Sequence, residues 1–117
     1  MGTLRWKAPE LIQGKLYSKE IDIWAFGCFA YELATGMTPF NCVQENKLVK
    51  AIVQKEIPAL PEDKWSDTFR DFIDKCLQKK PEDRWSAHRL LTEHEFLVNI
   101  DEEKCRETWV DNYASFR

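Results

Sequence analysis

Two histidines, four cysteines and several neighbouring carboxylates are the side chains of this sequence with the most chemical scope. His88 and His94 stand six positions apart, and neither lies at zinc-ligand spacing from a cysteine. Cys28, Cys42, Cys76 and Cys105 form no C-x-x-C pair, and Cys28 and Cys76 fall on apolar helical faces. Those positions suit buried, inert thiols better than nucleophiles, in a reduced, cytosolic protein. Glu62-Asp63, Glu82-Asp83 and Glu102-Glu103 are paired carboxylates, but neighbours at turns and helix starts are solvated rather than convergent on a substrate. A phosphate cradle needs clustered glycines so that backbone N–H groups can approach the anion, and Gly2, Gly14, Gly27 and Gly36 are scattered. The residues themselves therefore offer no metal centre, nucleotide loop or acid–base pair.

The elements that would position any site must come from 117 residues, which is one domain or part of one. With 44% hydrophobic and 13% aromatic residues the chain can bury a core. A formal net charge of −3 provides no field for a nucleic-acid backbone, so nucleic acid is not an expected partner. Residues 1–20 lack the ordered regions of a signal peptide, and the expectation is a cytoplasmic protein with no membrane partner.

Residues 1–18 read as an extended loop, with Pro9 biasing Ala8 away from helix and Gly14 punctuating. Asp22 opens a run through Ala34 with no continuous polar face, which predicts a helix apolar all round and capped near Gly36. Asp22 and Glu32 interrupt it too soon for a bilayer span, so it is expected to run through the centre of the protein. Leu48, Val49, Ile52 and Val53 mark a shorter amphipathic helix within residues 44–56. Ser66 can cap a helix carrying Phe69, Phe72, Ile73, Cys76 and Leu77, with Lys79 and Lys80 placed for its negative end before Pro81. Ser86 can cap the next, which carries Leu90 and Leu91. In the tail, Cys105, Trp109 and Tyr113 follow at i+4 steps behind three acids, a pattern for a final helix. No strand alternation or internal repeat is visible, and the fold class is all-α with long loops.

Three blocks carry a resemblance. Gly2-Thr3-Leu4-Arg5-Trp6-Lys7-Ala8-Pro9-Glu10 resembles the end of a protein-kinase activation segment, closing on Ala-Pro-Glu. Twelve positions on, Asp22-Ile23-Trp24-Ala25-Phe26-Gly27 is similar to the Asp-x-Trp-x-x-Gly start of the kinase large-lobe central helix. Cys76 through Arg84 resembles the segment whose arginine pairs with the Ala-Pro-Glu glutamate. Phe69-Arg70-Asp71-Phe72, Lys75-Cys76-Leu77 and His94-Glu95-Phe96-Leu97 give it a sterile-twenty-like (p21-activated) serine/threonine flavour. Lys7, where Met is frequent, and Trp85, where Pro is frequent, depart from the pattern beside the anchors rather than on them. The resemblance implies a C-terminal part of a kinase large lobe over residues 1–97, followed by a helical tail over 98–117.

By the same resemblance, Glu10 and Arg84, 74 positions apart, form a buried, bidentate pair. Asp22 accepts hydrogen bonds from the catalytic-loop backbone, and Trp24 and Gly27 anchor the central helix. Thr3 contacts the catalytic Asp and Lys of that loop, and Leu4, Arg5 and Trp6 form the wall beside the substrate's phosphoacceptor. Kinase phosphoryl transfer also needs a glycine-rich loop, a Lys–Glu pair, a catalytic Asp, and an Asp and an Asn for Mg²⁺. None is in these 117 residues: His88-Arg89-Leu90 lacks the catalytic Asp, and Asp71-Phe72-Ile73 lies on a core helix. ATP and Mg belong to the parent kinase and not to this chain, and no residue here is expected to be catalytic. The expected partners are the missing N-terminal kinase half and a protein substrate. Apolar surface from Trp24, Phe26 or Phe29 should be left uncovered and drive self-association. The alternatives are a non-catalytic binding module, docking through residues 44–55 and 2–17, and one half of a split kinase.

Overall fold

Pro9 starts a helix rather than excluding one. In a computed structural model, which describes residues 4–98, a 3-10 turn spans Leu4–Trp6 and α1 spans Pro9–Ile12. Ala8 is extended (φ −67°, ψ 153°), as the residue before proline must be, and Pro9 takes the first helical position, where its missing N–H costs nothing. The segment expected as loop thus contains two short helical pieces, each too short to register as an apolar period.

The long apolar run folds as α2, Glu20–Thr35, and ends on Gly36 at φ +81° with its N–H donated to the Glu32 carbonyl. Its buried residues are Trp24, Gly27, Cys28 and Tyr31, one stripe at helical spacing. The sequence places uncovered apolar surface at Trp24, Phe26 or Phe29. Trp24 is instead 1% exposed, while Phe26, Phe29 and Leu33 on the other faces are 46%, 44% and 72% exposed. The described residues supply a packing partner for one stripe only.

That cover comes from α4 (Asp67–Cys76) and the Leu4–Trp6 turn, while α3 (Glu45–Gln54) packs on α1 and joins the same core with Phe40, Leu60 and Leu90. In α3 Leu48, Ala51 and Ile52 point inward, and Val49, counted on the apolar face from sequence, is exposed. Ser66 caps α4 by accepting the Phe69 N–H at 3.1 Å, and Phe72, Ile73, Cys76 and Leu77 are buried against α2. Side chains as fully buried as Leu48 and Phe72 are each worth roughly 1.5–3 kcal/mol. Lys79 does not serve the end of α4, because the helix stops at Cys76 and Lys75 occupies its last turn.

A 3-10 turn at Pro81–Asp83 leads to α5 (Ala87–Glu93) and α6 (Glu95–Val98). Ser86 caps α5 through the Arg89 N–H, Leu90 is buried, and Leu91 is exposed rather than packed. His94 joins the two helices to α4: its Nδ1 accepts the Phe96 N–H at 3.1 Å, which leaves the proton on Nε2 to be donated to Asp71 at 2.9 Å. The tail carrying Cys105, Trp109 and Tyr113 lies outside the described residues. All regular structure within them is helical.

Gly27 sets how closely α2 and α4 approach. A Cβ at this position would lie 2.7 Å from Cys76 Cβ and 2.8 Å from Leu77 Cδ2. Alanine favours a helix interior by about 1 kcal/mol over glycine. The Cys76 Cβ is fixed to its backbone and cannot yield, so Gly27→Ala is expected to destabilise the chain by roughly 1–3 kcal/mol in a denaturant melt.

Candidate functional site

Arg84 holds the first segment of the chain against the second half of the fold. Its Nη1 and Nη2 donate to Glu10 Oε2 and Oε1 at 2.6 and 2.7 Å, a bidentate pair between two buried side chains. The remaining donors reach backbone carbonyls: Nε to Gln78 at 2.8 Å, Nη1 to Glu20 at 3.0 Å and Nη2 to Lys79 at 3.3 Å. Every N–H of the guanidinium therefore has an acceptor, which offsets the cost of burying a charge. The guanidinium also lies 5.1 Å from the centre of the Trp24 ring. One side chain thus ties α1, the start of α2 and the turn after α4 together.

Lys79 is the group that sequence reasoning misplaced. Its ammonium donates to the Ile52 carbonyl at 2.6 Å and lies 5.3 and 4.9 Å from the Trp24 and Phe40 ring centres. Burial brings its pKa down to about 8. A lysine beside Lys80 and Pro81 carries no pattern that distinguishes it from a surface charge, so no sequence signal marks this role.

Leu4 begins the 3-10 turn at the head of the segment. Arg5 is drawn inward, donating to the Phe40 and Val43 carbonyls at 2.6 and 3.1 Å, so it fixes the turn to the α2–α3 connection. Trp6 is half-buried, its ring 5.9 Å from that of Phe29. Trp6, Lys7, Ala8, Ile21, Asp22 and Ala25 line an open cleft of about 390 Å³. Asp22 is exposed at its rim, and its carboxylate accepts no hydrogen bond from any described residue. The resemblance assigns that carboxylate donors in a catalytic loop which is not in this sequence. Thr3 lies outside the described residues.

Two of the thiols, Cys28 and Cys76, are buried in the core. Burial pushes Cys28 and Cys76 up to about 12, so neither forms a thiolate near neutral pH. Asp71, on α4, is held below the usual carboxylate range by hydrogen bonds from Lys75 and His94. Arg89 stacks 3.9 Å from the centre of the Trp85 ring. Both motif fragments are thus committed to packing. Among the described residues no group of three or more His, Cys, Asp or Glu side chains could hold a metal ion.

Burial alone would raise the pKa of Glu10, but hydrogen bonding and the charge of Arg84 outweigh it and hold the carboxyl below its ordinary value of 4.5. The stability from this pair is therefore fully present above that value and is lost as pH falls below it, through the folded-state pKa. Glu10→Gln strands a buried guanidinium and is expected to cost roughly 3–5 kcal/mol at pH 7, measured by chemical denaturation. The variant should also lose the part of the acid unfolding transition that this carboxyl contributes.

The comparisons agree with this arrangement. The family model described as Protein kinase domain matches residues 1–97. The chain is similar to serine/threonine-protein kinase dst1 of Dictyostelium discoideum, 43% identical over 98 residues, covering 83% of this chain and 13% of that protein. It is similar to serine/threonine-protein kinase hippo of Drosophila melanogaster, 43% identical over 100 residues, covering 85% of this chain and 15% of that protein. Serine/threonine-protein kinase ppk11 of Schizosaccharomyces pombe matches all of this chain at 35% identity, over 37% of its own length. The chain thus spans well under half the length of these relatives. A segment ending in Ala-Pro-Glu, locked by its glutamate to a distant arginine in front of a long apolar helix, is what the matched region contains, and the chain belongs to the protein kinase domain family.

Proposed function

We propose that this chain is the substrate-binding side of the large lobe of a cytoplasmic, ATP-dependent serine/threonine protein kinase of the sterile-twenty-like group, and that it does not transfer phosphate by itself. The observation that carries the reading is the Glu10–Arg84 lock, which presents residues 4–12 beside the cleft that Asp22 borders. In this reading Thr3, Leu4, Arg5 and Trp6 belong to the wall beside the phosphoacceptor. Trp6 faces the cleft, and Arg5 acts by holding the wall in place from behind. The substrate is a protein presenting a serine or threonine, and its partner in catalysis is the preceding half of the kinase domain, which would cover the open faces of α2 and supply donors to Asp22.

ATP and Mg serve the parent family, and the residues described here do not fit them. The cleft beside Trp6 offers one carboxylate, Asp22, where two metal-holding side chains are needed, and no cluster of glycine amides faces it. No catalytic step is assigned to this chain. No helix among the described residues is long and apolar enough to cross a membrane. The exposed stripe on α2 counts against a free-standing binding module, because such a module would keep that surface covered.

The test is a thermal melt of the 117-residue chain with and without Mg-ATP, beside a phosphate-transfer assay on serine- and threonine-containing peptides. No shift and no transfer are expected. A reproducible, saturable Mg-ATP shift would overturn the reading, since it requires a nucleotide site that these residues do not build.

A further inference from the structure

We propose that His94 is a proton-released cap, whose protonation unfastens α6 from α4 while the bond between His94 and Asp71 holds. The imidazole is 4% exposed and makes two hydrogen bonds of different kinds. Nε2 meets Asp71 Oδ2 at 2.9 Å, and Nδ1 accepts the Phe96 N–H at 3.1 Å. An imidazolium donates from both nitrogens and accepts at neither. Protonation is therefore compatible with the first bond, which becomes charge-assisted, and incompatible with the second, where two N–H groups would face each other. The first bond runs to α4 and is available whether α6 is docked or not. Only the docked form needs Nδ1 unprotonated, so it binds the proton less well and is disfavoured as pH falls.

Helix α6 is lightly held and depends on this cap. It is four residues long, Glu95–Val98, and none of them is buried. A single turn has no stability of its own, and its first N–H groups need acceptors. Leu97 and Val98 donate to the His94 carbonyl, which leaves Nδ1 as the acceptor for Phe96. Beyond the cap, α6 rests on the half-buried Phe96 and Leu97, with the Phe96 ring 5.2 Å from Phe69 and 5.1 Å from Phe72. The imidazole is gripped separately, edge-on to Phe72 at 5.3 Å and to Trp85 at 5.6 Å, so it stays in place when α6 leaves. The charges around it favour uptake of the proton. Asp67 and Asp71 on α4, Glu93 at the end of α5 and Glu95 on α6 line one open cleft with His94. Hydrogen bonds from Lys75 and then His94 hold Asp71 below the usual carboxylate range, so it stays ionised where histidines titrate. The neighbouring cations are already engaged: Lys75 with Asp71, Arg70 with Asp67, and Arg89 with Glu93 and the Trp85 ring.

The proposal stands or falls separately from the reading of the chain as a kinase lobe. Its pH window, about 8 to 5, also lies above the range in which Glu10 is protonated, so the lock to Arg84 stays charged throughout. Amide hydrogen exchange on the full chain, corrected for the intrinsic effect of pH, is the test. Protection at Phe96, Leu97 and Val98 is expected to fall by about tenfold or more across that window, in step with protonation of the His94 ring followed by NMR, while Phe72 and Ile73 on α4 stay protected. In His94→Asn a carboxamide oxygen takes the place of Nδ1 as acceptor and binds no proton, so protection at 96–98 should not change with pH. Should that variant fail to fold, Asp71→Asn removes the carboxylate that favours the charged ring, and release is expected at a lower pH. Protection at 96–98 that is constant in the parent chain, or lost together with that of α4, would overturn the proposal. So would release that persists in His94→Asn, or that occurs at an unmoved pH in Asp71→Asn.

Discussion

A buried charge pair that spans 74 positions is the constraint on which the rest of this structure depends. Arg84 leaves no donor unused, and its acceptors belong to Glu10, to the start of α2 and to the turn that follows α4. Ionic contacts this far from water do not stabilise a fold cheaply, because desolvation cancels much of the attraction. They do restrict geometry: only one placement of α1 against α2 lets a planar fork meet a carboxylate and three carbonyls at once. The segment ahead of Glu10 inherits that placement. Arg5 then secures its other end to the α2–α3 connection, so the wall beside the cleft is pinned on both sides.

Trp24 connects this lock to the hydrophobic core. Its ring is buried beneath both Arg84 and Lys79, and the same stripe of α2 continues through Gly27 and Cys28 onto α4. Lys79 bridges the ring to the end of α3 through the Ile52 carbonyl. Partial burial among these rings and carbonyls is what lowers the pKa of Lys79. Packing and electrostatics therefore meet at one place, and the opposite faces of α2 take no part in it.

Much of this was legible in the sequence. The Ser66 and Ser86 caps, the Gly36 stop and the inward set of α4 follow from local chemistry that acts within a single helix. The Glu10–Arg84 pair was accessible only through resemblance, since no local rule links residues so far apart. What sequence could not settle was which face of α2 would be buried: a helix apolar all round has no amphipathic direction, and the choice was made by where α4 and the Leu4–Trp6 turn offer cover. Val49 and Leu91 were misassigned for a related reason, because apolar spacing marks a candidate face but not its partner. Asp22 is exposed among the described residues, and the donors that the resemblance assigns to it belong to a catalytic loop that is not in this sequence.

The central claim is that this chain is the substrate-binding side of a kinase lobe and becomes competent only with the half that precedes it in the family. The most direct measurement joins the upstream portion of the hippo kinase domain to residue 1 and follows transfer of labelled phosphate from ATP to serine or threonine peptides. Transfer by the fusion, and none by either half alone, is the result this account predicts. A fusion that melts cooperatively and binds Mg-ATP, yet phosphorylates no peptide, would contradict it.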